Sequence, residues 1–579
     1  MGKGRSSARP SRSRRQRRDE GAEPTAAGST AAAAPGSAPD PVARLLAHRT
    51  WPALAAAAAV AAHAPALRGG FVWLDHAHLE RGLAIAPPAR WASLFAEPFA
   101  GTGYYRPLTA LSLSIDAAVG GGPLLYHAVT LGWHALAAAM VALLAERFGL
   151  GRRAALLAGV LFAVHPATSL VASAIAFRSE AMAVVALCAL LLAHRGRRPL
   201  LAAAALLAGA LVKETALVLG PLCVLALELA PGSFAAEAPA GRGVRARLWA
   251  AEGAALVAAV SLRLVAAPGW RASMAALSPS DALGTRLASF TRAAAGLVLP
   301  IDASVCDATP VTSWYQPAAL AGVAVLAAMC WLAWRRRGPA LLLALALLPV
   351  AQLVPVPRWW SIHYLYVPLA FAAMLVAERV ARSPRPRAFQ AAVAGAACLA
   401  LASVADARRF IDDERLWRPE VEADAACREG QFHLAELARE RGDHAAAEAG
   451  YLAALAERPR VLAYLDRAAA LQNLGLVRQA RGDLDGARAA WSEALPRSSG
   501  AARAELTHNL GALALQRGDA SEAWRLLEGE AARPDAPPQT LYLAAKAAHS
   551  LGLELQAREL IARLRATGWD GVLPGEIRR

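Results

Sequence analysis

Residues 124–146 read LLYHAVTLGWHALAAAMVALLAE, twenty-three positions whose only Asp, Glu, Lys or Arg is the last, Glu146. At about 1.5 Å per residue such a helix covers about 35 Å, enough to cross a hydrocarbon core of about 30 Å. Working outward, apolar runs near 50–67, 154–172, 180–194, 199–212, 215–230, 248–267, 318–334, 339–356, 362–380 and 388–405 bring the expected crossings to eleven. Residues 199–230 also read as one bent helix. The predicted fold class is all-α: a polytopic membrane bundle followed by a helical repeat array.

Composition agrees. The chain is 56% hydrophobic and 18% charged, with a mean hydropathy of +0.33, against about 45–50% and about 25% in soluble domains. That excludes an ordinary cytosolic globular enzyme. The net charge of +16 (61 Lys and Arg minus 45 Asp and Glu) would suit nucleic acid only if it formed a folded patch. Instead, Lys3, Arg5, Arg9, Arg12, Arg14, Arg15, Arg17 and Arg18 crowd the first eighteen residues, with no aromatic residue to stack a base. Residues 1–49 therefore read as a disordered basic cytoplasmic tail, and no nucleic acid partner is expected. Arginine clusters at 147/152/153, 195/197/198, 242/245/247, 335–337 and 382/385/387 mark the other cytoplasmic ends by the positive-inside rule. Loops 68–123 and 268–317 and everything after residue 405 then face the opposite side. Ala- and Arg-rich usage suits a high-GC bacterium, which makes that side the periplasm and the bilayer the inner membrane. Of the six cysteines, Cys188, Cys223, Cys330 and Cys398 fall inside predicted spans. Cys306 and Cys427 face the oxidising side, where compartment alone allows a disulfide.

Past residue 427 the chain becomes rich in charged and small helix formers, and it repeats. Gly442-Asp443, Gly482-Asp483, Gly518-Asp519 and Leu551-Gly552 mark turns spaced by 40, 36 and 34 residues. Five residues past each turn glycine stand Ala447, Ala487, Ala523 and Ala557; four further come Tyr451, Trp491, Leu527 and Ile561. Small residues let paired helices approach, and the large one fills the gap to the next pair. The alternative is a generic Ala-rich helical bundle. The pattern resembles the tetratricopeptide repeat, whose arrays hold extended peptides or proteins in a concave groove. The expected division is a tail at 1–49, a membrane domain at 50–405, a linker at 406–427, repeats at 428–568 and a tail at 569–579.

Ionisable groups at a membrane boundary are costly and usually functional. The loop after the first span reads Phe71-Val72-Trp73-Leu74-Asp75-His76-Ala77-His78, and later Gly103-Tyr104-Tyr105-Arg106-Pro107-Leu108. His127 and His134 follow seven residues apart, then Phe162-Ala163-Val164-His165-Pro166, Arg178-Ser179-Glu180, Lys213-Glu214-Thr215 and His363-Tyr364-Leu365-Tyr366-Val367-Pro368. In this order the motifs resemble the polytopic GT-C glycosyltransferases with appended tetratricopeptide repeats, related to the transmembrane-and-repeat O-mannosyltransferases. The resemblance covers about residues 50–405 and the repeats. It implies an enzyme that takes a sugar from a polyprenyl-phosphate carrier and places it on an acceptor, such as a protein hydroxyl, at the non-cytoplasmic face. It also implies Asp75 as general base, and His76, Tyr105 and His363 among the groups that bind substrate or lipid phosphate. The family's acidic pair is matched here only as Leu74-Asp75.

The residues themselves support that chemistry. Inverting transfer needs one carboxylate to activate the acceptor, whereas a phosphate leaving group needs cations. Arg106, Arg178, Lys213 and Arg358 lie at expected outer or interfacial ends of spans, where a cation can pair with lipid phosphate or snorkel to headgroups. Glu180 and Glu214 are the expected neutralising partners of Arg178 and Lys213. No cofactor is expected. A divalent metal on Asp75, His76 and His78, completed by His127, His134 or His165, is the alternative, but it lacks a compact ligand motif. His127 and His134 also read as buried structural histidines, and Trp359-Trp360 with Tyr364 and Tyr366 as an interfacial belt or a sugar platform. Loop 268–317, with Trp270, Trp314 and Tyr315, reads as a possible cover over the site. Leu74 favours a second class, a non-catalytic membrane scaffold that uses its repeats to assemble an envelope complex. A transporter reading finds no inverted repeat and no pair of broken helices in matching halves.

Overall fold

Small residues set the spacing of the membrane body. A Cβ on Gly159 would lie 2.7 Å from the Ala142 Cβ and 3.0 Å from the Ala55 Cβ, so helices Ala53–His63, Pro123–Arg147 and Arg152–Ala163 pack with their backbones close together. Around this trio gather Arg178–Arg195, Tyr366–Ala381 and Ala388–Ala407. Helices Pro199–Val212 and Arg242–Ala266 pack on one flank, and Pro279–Val298 pairs with Pro317–Arg336. This computed structural model describes Gly2, 46–230, Phe234, 241–268, 277–298, 304–336, 338–352, 358–385, 387–569 and Gly571. The basic cluster of residues 3–18, Trp270 and most of the 569–579 tail lie outside the described residues.

Among the described residues, six helices are long and apolar enough to cross a membrane: Pro123–Arg147, Ile175–Arg195, Arg242–Ala266, Pro317–Arg335, Ile362–Ala381 and Ala388–Ile411. A seventh is added if Arg152–Ala163 and Pro166–Ser173, bent by 59°, make one span. The described residues thus carry six or seven such helices against the expected eleven. Ala53–Arg68, Pro199–Val212 and Pro339–Ala351 are shorter apolar helices, and Glu214–Leu229 has 16 residues, about 24 Å at the helical rise. Residues 199–230 are not one bent helix. Lys213 is extended (φ −158°, ψ 143°) and splits the stretch in two. His165-Pro166 interrupts the other stretch, as proline disfavours helix in the residue before it. The apolar stretches are thus broken at two places, Lys213 and His165-Pro166.

The C-terminal region is a run of helices in which each packs on the next: Arg428–Glu440, His444–Leu455, Arg467–Ala480, Leu484–Ala494, Gly500–Gln516, Ala520–Ala531, Pro538–Ser550 and Glu554–Ala566. Each turn glycine is left-handed, at φ +77°, +84°, +79° and +73° for Gly442, Gly482, Gly518 and Gly552, a conformation that stops a helix cheaply only at glycine. Asp443, Asp483 and Asp519 then cap the next helix by accepting the amides of Ala446, Gly486 and Glu522. Ala447, Ala487, Ala523, Ala557, Tyr451, Trp491, Leu527 and Ile561 are all buried. A Cβ on Gly475 would fall 2.2 Å from the Trp491 indole nitrogen, so glycine there is what admits the large ring.

The stretch read as a linker is structured. It forms helix Asp413–Ala423, which buries Leu416 and Trp417. Loop 268–317 holds helix Pro279–Val298 and the strand Ala308–Pro310, which pairs antiparallel with Val461–Ala463 in the register Ala308↔Ala463. Cys306 and Cys427 are disulfide-bonded across the same boundary, their Cα atoms 5.7 Å apart, and Arg460 pairs with Asp281 at 3.1 Å. That loop is a clasp on the C-terminal helices.

Candidate functional site

Asp75 enters helix His76–Glu80 from a strained turn, because Trp73 adopts φ +57°. The strained turn is held from outside. The Trp73 amide donates to Asp413 Oδ1 at 2.9 Å and its indole N–H to Glu429 Oε1 at 2.7 Å, while its ring packs on Phe177 and Trp417. Asp75 is fully buried. Its carboxylate accepts the amides of Ala176 at 2.7 Å and Val72 at 3.4 Å. Burial pushes its pKa up to about 7, against the opposing pull of those amides. A carboxylate poised there can take up a proton near neutrality.

His76 lies between two carboxylates, with Nε2 2.6 Å from Asp413 and Nδ1 2.6 Å from Glu80. The bond to Asp413 raises its pKa to about 9 although partial burial opposes this. Burial pushes Asp413 upward, but the bond from His76 leads the interactions that hold it below its ordinary value. Arg358 forms a bidentate pair with Glu429 and lies over the rings of Trp73 at 4.9 Å and Tyr464 at 4.4 Å. Burial works against its charge, and Glu429 more than restores it. Asp307 accepts the amides of Trp359 at 2.9 Å and Trp360 at 3.0 Å, fixing the backbone beside Arg358; burial raises its pKa to about 6. Trp359 and Trp360 are buried. The interfacial-belt reading is therefore corrected.

A second polar cluster lies at the Lys213 break. An extended residue inside an apolar stretch leaves backbone groups without helical partners, a condition tolerated where protein or a cavity surrounds it. Arg106 pairs with Glu214 at 2.9 Å, and Glu214 also accepts the Tyr105 amide at 3.0 Å and faces Arg263 at 3.7 Å. Lys213 pairs with Glu180, which also faces His363 at 3.6 Å. The pairing is thus Lys213 with Glu180 and Arg106 with Glu214, which differs from the expected partners. The Tyr105 hydroxyl donates to the Phe95 carbonyl at 2.9 Å. The His363 ring lies tilted against Phe177, their centroids 4.9 Å apart, and Phe177 packs on Trp73; Lys213, Arg358 and Arg106 all act electrostatically on His363. The two clusters are therefore contiguous. Arg106, Lys213, Arg263 and Arg358, four cations, face Glu180, Glu214 and Glu429, three carboxylates. Asp307 acts electrostatically on Arg358 as a fourth carboxylate, so the cations are matched and an incoming anion would compete with these pairs. A cavity of about 250 Å³ opens beside Arg106, lined also by Arg90, Glu97 and Phe99.

Arg178 is placed differently. It is enclosed, with an ion pair to Asp116 at 2.6 Å and bonds to Thr130, Ser112 and the Tyr126 carbonyl at 3.0, 3.0 and 2.9 Å. Among the described residues, no three His, Cys, Asp or Glu side chains converge as a metal site would require. His127 instead bonds the Gly70 carbonyl, and His134 bonds the Tyr366 hydroxyl and the Ala163 carbonyl. Asp413, Glu429, Tyr464 and Asp307 were not foreseen. The one local signal, Asp412-Asp413-Glu414 at a helix start, reads only as a cap.

Two fly proteins match parts of this chain. Protein O-mannosyl-transferase Tmtc1 of Drosophila melanogaster is 30% identical over 204 residues, covering 32% of this chain and 24% of that protein. Protein O-mannosyl-transferase Tmtc2 of the same fly is 30% identical over 129 residues, covering 21% and 14%. The chain thus spans at most about a quarter of the length of these curated relatives. No family profile and no solved structure matches it.

Proposed function

We propose that this protein is an integral membrane glycosyltransferase that moves a sugar from a polyprenyl-phosphate carrier to an acceptor hydroxyl, on a protein, at the non-cytoplasmic face. The observation that carries it is one buried carboxylate near neutrality, Asp75, linked through the turn at Trp73 and through Phe177 to a cluster of paired cations at a broken helix. The partial similarity to two O-mannosyl-transferases supports the sugar-transfer chemistry. Asp75 takes the acceptor proton as the hydroxyl oxygen attacks the anomeric carbon. The carbon to phosphate-oxygen bond breaks with inversion, and Arg106, Lys213 and Arg358 stabilise the departing lipid phosphate. His76, Tyr105 and His363 line the substrate, and Arg178 holds the site's walls. The C-terminal helices act as a tetratricopeptide array that presents the acceptor, with the N-terminus in the cytoplasm and the array in the periplasm.

The test is sugar transfer in membranes by the Asp75→Asn variant. General-base loss costs about 10²–10⁴-fold, and the wild-type rate should rise with pH through about 7 as Asp75 deprotonates. An unchanged rate would mean that Asp75 is not the base, whereas membranes in which the wild type transfers no sugar would leave the second reading, a membrane scaffold. Two observations favour that one: Leu74 occupies the place of the second acid, and both Asp75 oxygens already accept backbone amides.

A further inference from the structure

Where the first and last apolar helices of the membrane body end together, the chain builds a groove that the transfer reading does not use. Its floor is apolar, with Ala61 and Ala64 from one helix and Val404 from the other, and its volume is about 600 Å³. Three arginines rim it: Arg68, Arg408 and Arg415. Arg415 pairs loosely with Asp412 at 3.4 Å, both being well exposed. Among the described residues, the Arg68 and Arg408 side chains have no hydrogen-bond or ion-pair partner. The two helix ends are fixed to each other, because the Gly70 amide donates to the Ile411 carbonyl at 3.0 Å and a Cβ on Gly69 would lie 2.8 Å from the Phe410 carbonyl. The groove is thus preformed. Its outer side is open, since helix 388–411 shows Val393 and Leu401 outward, Leu401 at 72% exposure.

We propose that this groove is a binding site for an anionic bilayer phospholipid, whose phosphate is held by Arg68, Arg408 and Arg415 and whose acyl chain lies along Ala61, Ala64 and Val404. Guanidinium groups at the end of an apolar groove match a phosphodiester attached to a hydrocarbon chain, by bidentate bonding to the phosphate and by chain burial. Free phosphate has no use for the apolar floor. Snorkelling alone explains one arginine at a helix end, not three converging on one groove. Asp75 does not line the groove, and the proposal holds whether or not the protein transfers a sugar.

Native mass spectrometry of the full-length protein in detergent, titrated with phosphatidylglycerol, phosphatidylcholine, polyprenyl phosphate or inorganic phosphate, tests it. Phosphatidylglycerol should bind in preference to phosphatidylcholine. The Arg68→Gln/Arg408→Gln variant should lose about fivefold in affinity per arginine, the usual weight of one basic residue at an anionic headgroup. Both side chains are exposed, so the fold is undisturbed. Ala64→Phe should block the chain and weaken binding while keeping the arginines; Arg382→Gln, elsewhere on the surface, should change nothing. Equal binding of the two phospholipids, an unaffected double variant, displacement by inorganic phosphate, or a preference for polyprenyl phosphate would each overturn the proposal.

Discussion

The C-terminal helices and the interface beneath them are built on opposite principles. In the hairpins every decisive contact is short in sequence: Gly482 ends one helix, Asp483 starts the next, and Gly475 receives Trp491 sixteen residues on. At the interface nearly every decisive contact is long. Trp73 reaches Asp413 and Glu429, and Arg358 reaches Glu429 and Tyr464. The hairpins tolerate the loss of one exposed ion pair because water solvates what remains. The interface does not, because the orphaned charge stays buried.

The largest effect that can break this contrast comes from Glu429→Ala. It strands Arg358 and removes the acceptor of the Trp73 indole, for an expected loss of about 3–5 kcal/mol. Glu522→Ala removes the more exposed pair with Arg488, 2.7 Å long, and should cost about 0–1 kcal/mol. Denaturant unfolding of the full chain in detergent compares them. Equal losses would mean that the interface is solvated like the hairpins. The double variant Arg358→Met/Glu429→Met, with no charge left to strand, should recover most of the stability and still lack transfer if Arg358 holds the phosphate.

The same difference in contact range explains what could be read from the residues alone. Gly442, Ala447 and Tyr451 announce their hairpin because the turn, the close approach and the filling side chain recur at fixed offsets. The helical membrane character was equally plain, since hydropathy needs no partner. The number of spans was not, because an apolar run does not reveal the length of its helix: Ala53–Arg68, Pro199–Val212 and Pro339–Ala351 are short, and His165-Pro166 divides a stretch that composition joins. At the candidate site, the cations Arg106, Lys213 and Arg358 stood out as costly groups. Their partners did not, because Glu214 binds a residue 108 positions away and Glu429 one 71 away. Trp359-Trp360 read as a belt since aromatic residues near an apolar run favour interfaces; their partners come from distant residues, with Asp307 on both backbone amides and Ser289 on the Trp359 indole.

Titration of His76 sharpens the contrast from the interface side. Its folded pKa of about 9 lies above the ordinary 6.5, so the native state binds this proton more tightly. The stabilisation is fully present below pH 6.5 and lost as pH rises through 9. His76 is about a third exposed, so screening reduces the effect to about 1 kcal/mol. Wild-type protein should lose that much between pH 6.5 and 9.5 beyond what His76→Gln loses. Hydrogen exchange at residues 73–80 and 413–423 should show where the loosening starts. If the hairpins loosen instead, the interface is not the pH-sensitive part.

The smallest effect belongs to the hairpins. Asp519 accepts the Glu522 amide at 2.9 Å in an exposed turn, and Asp519→Ala leaves that amide to water, for about 0.5–1 kcal/mol. Asp519→Asn keeps an accepting oxygen and should cost less. Because each hairpin touches mainly its neighbours, the loss should stay local. Exchange should quicken in Ala520–Ala531 and the helices packed on it, while Asp75, Trp73 and the Arg358 pair keep their protection. Loosening that reached the first loop would show that the hairpins and the interface unfold as one cooperative unit, so that the short contacts of one region and the long contacts of the other share a single stability.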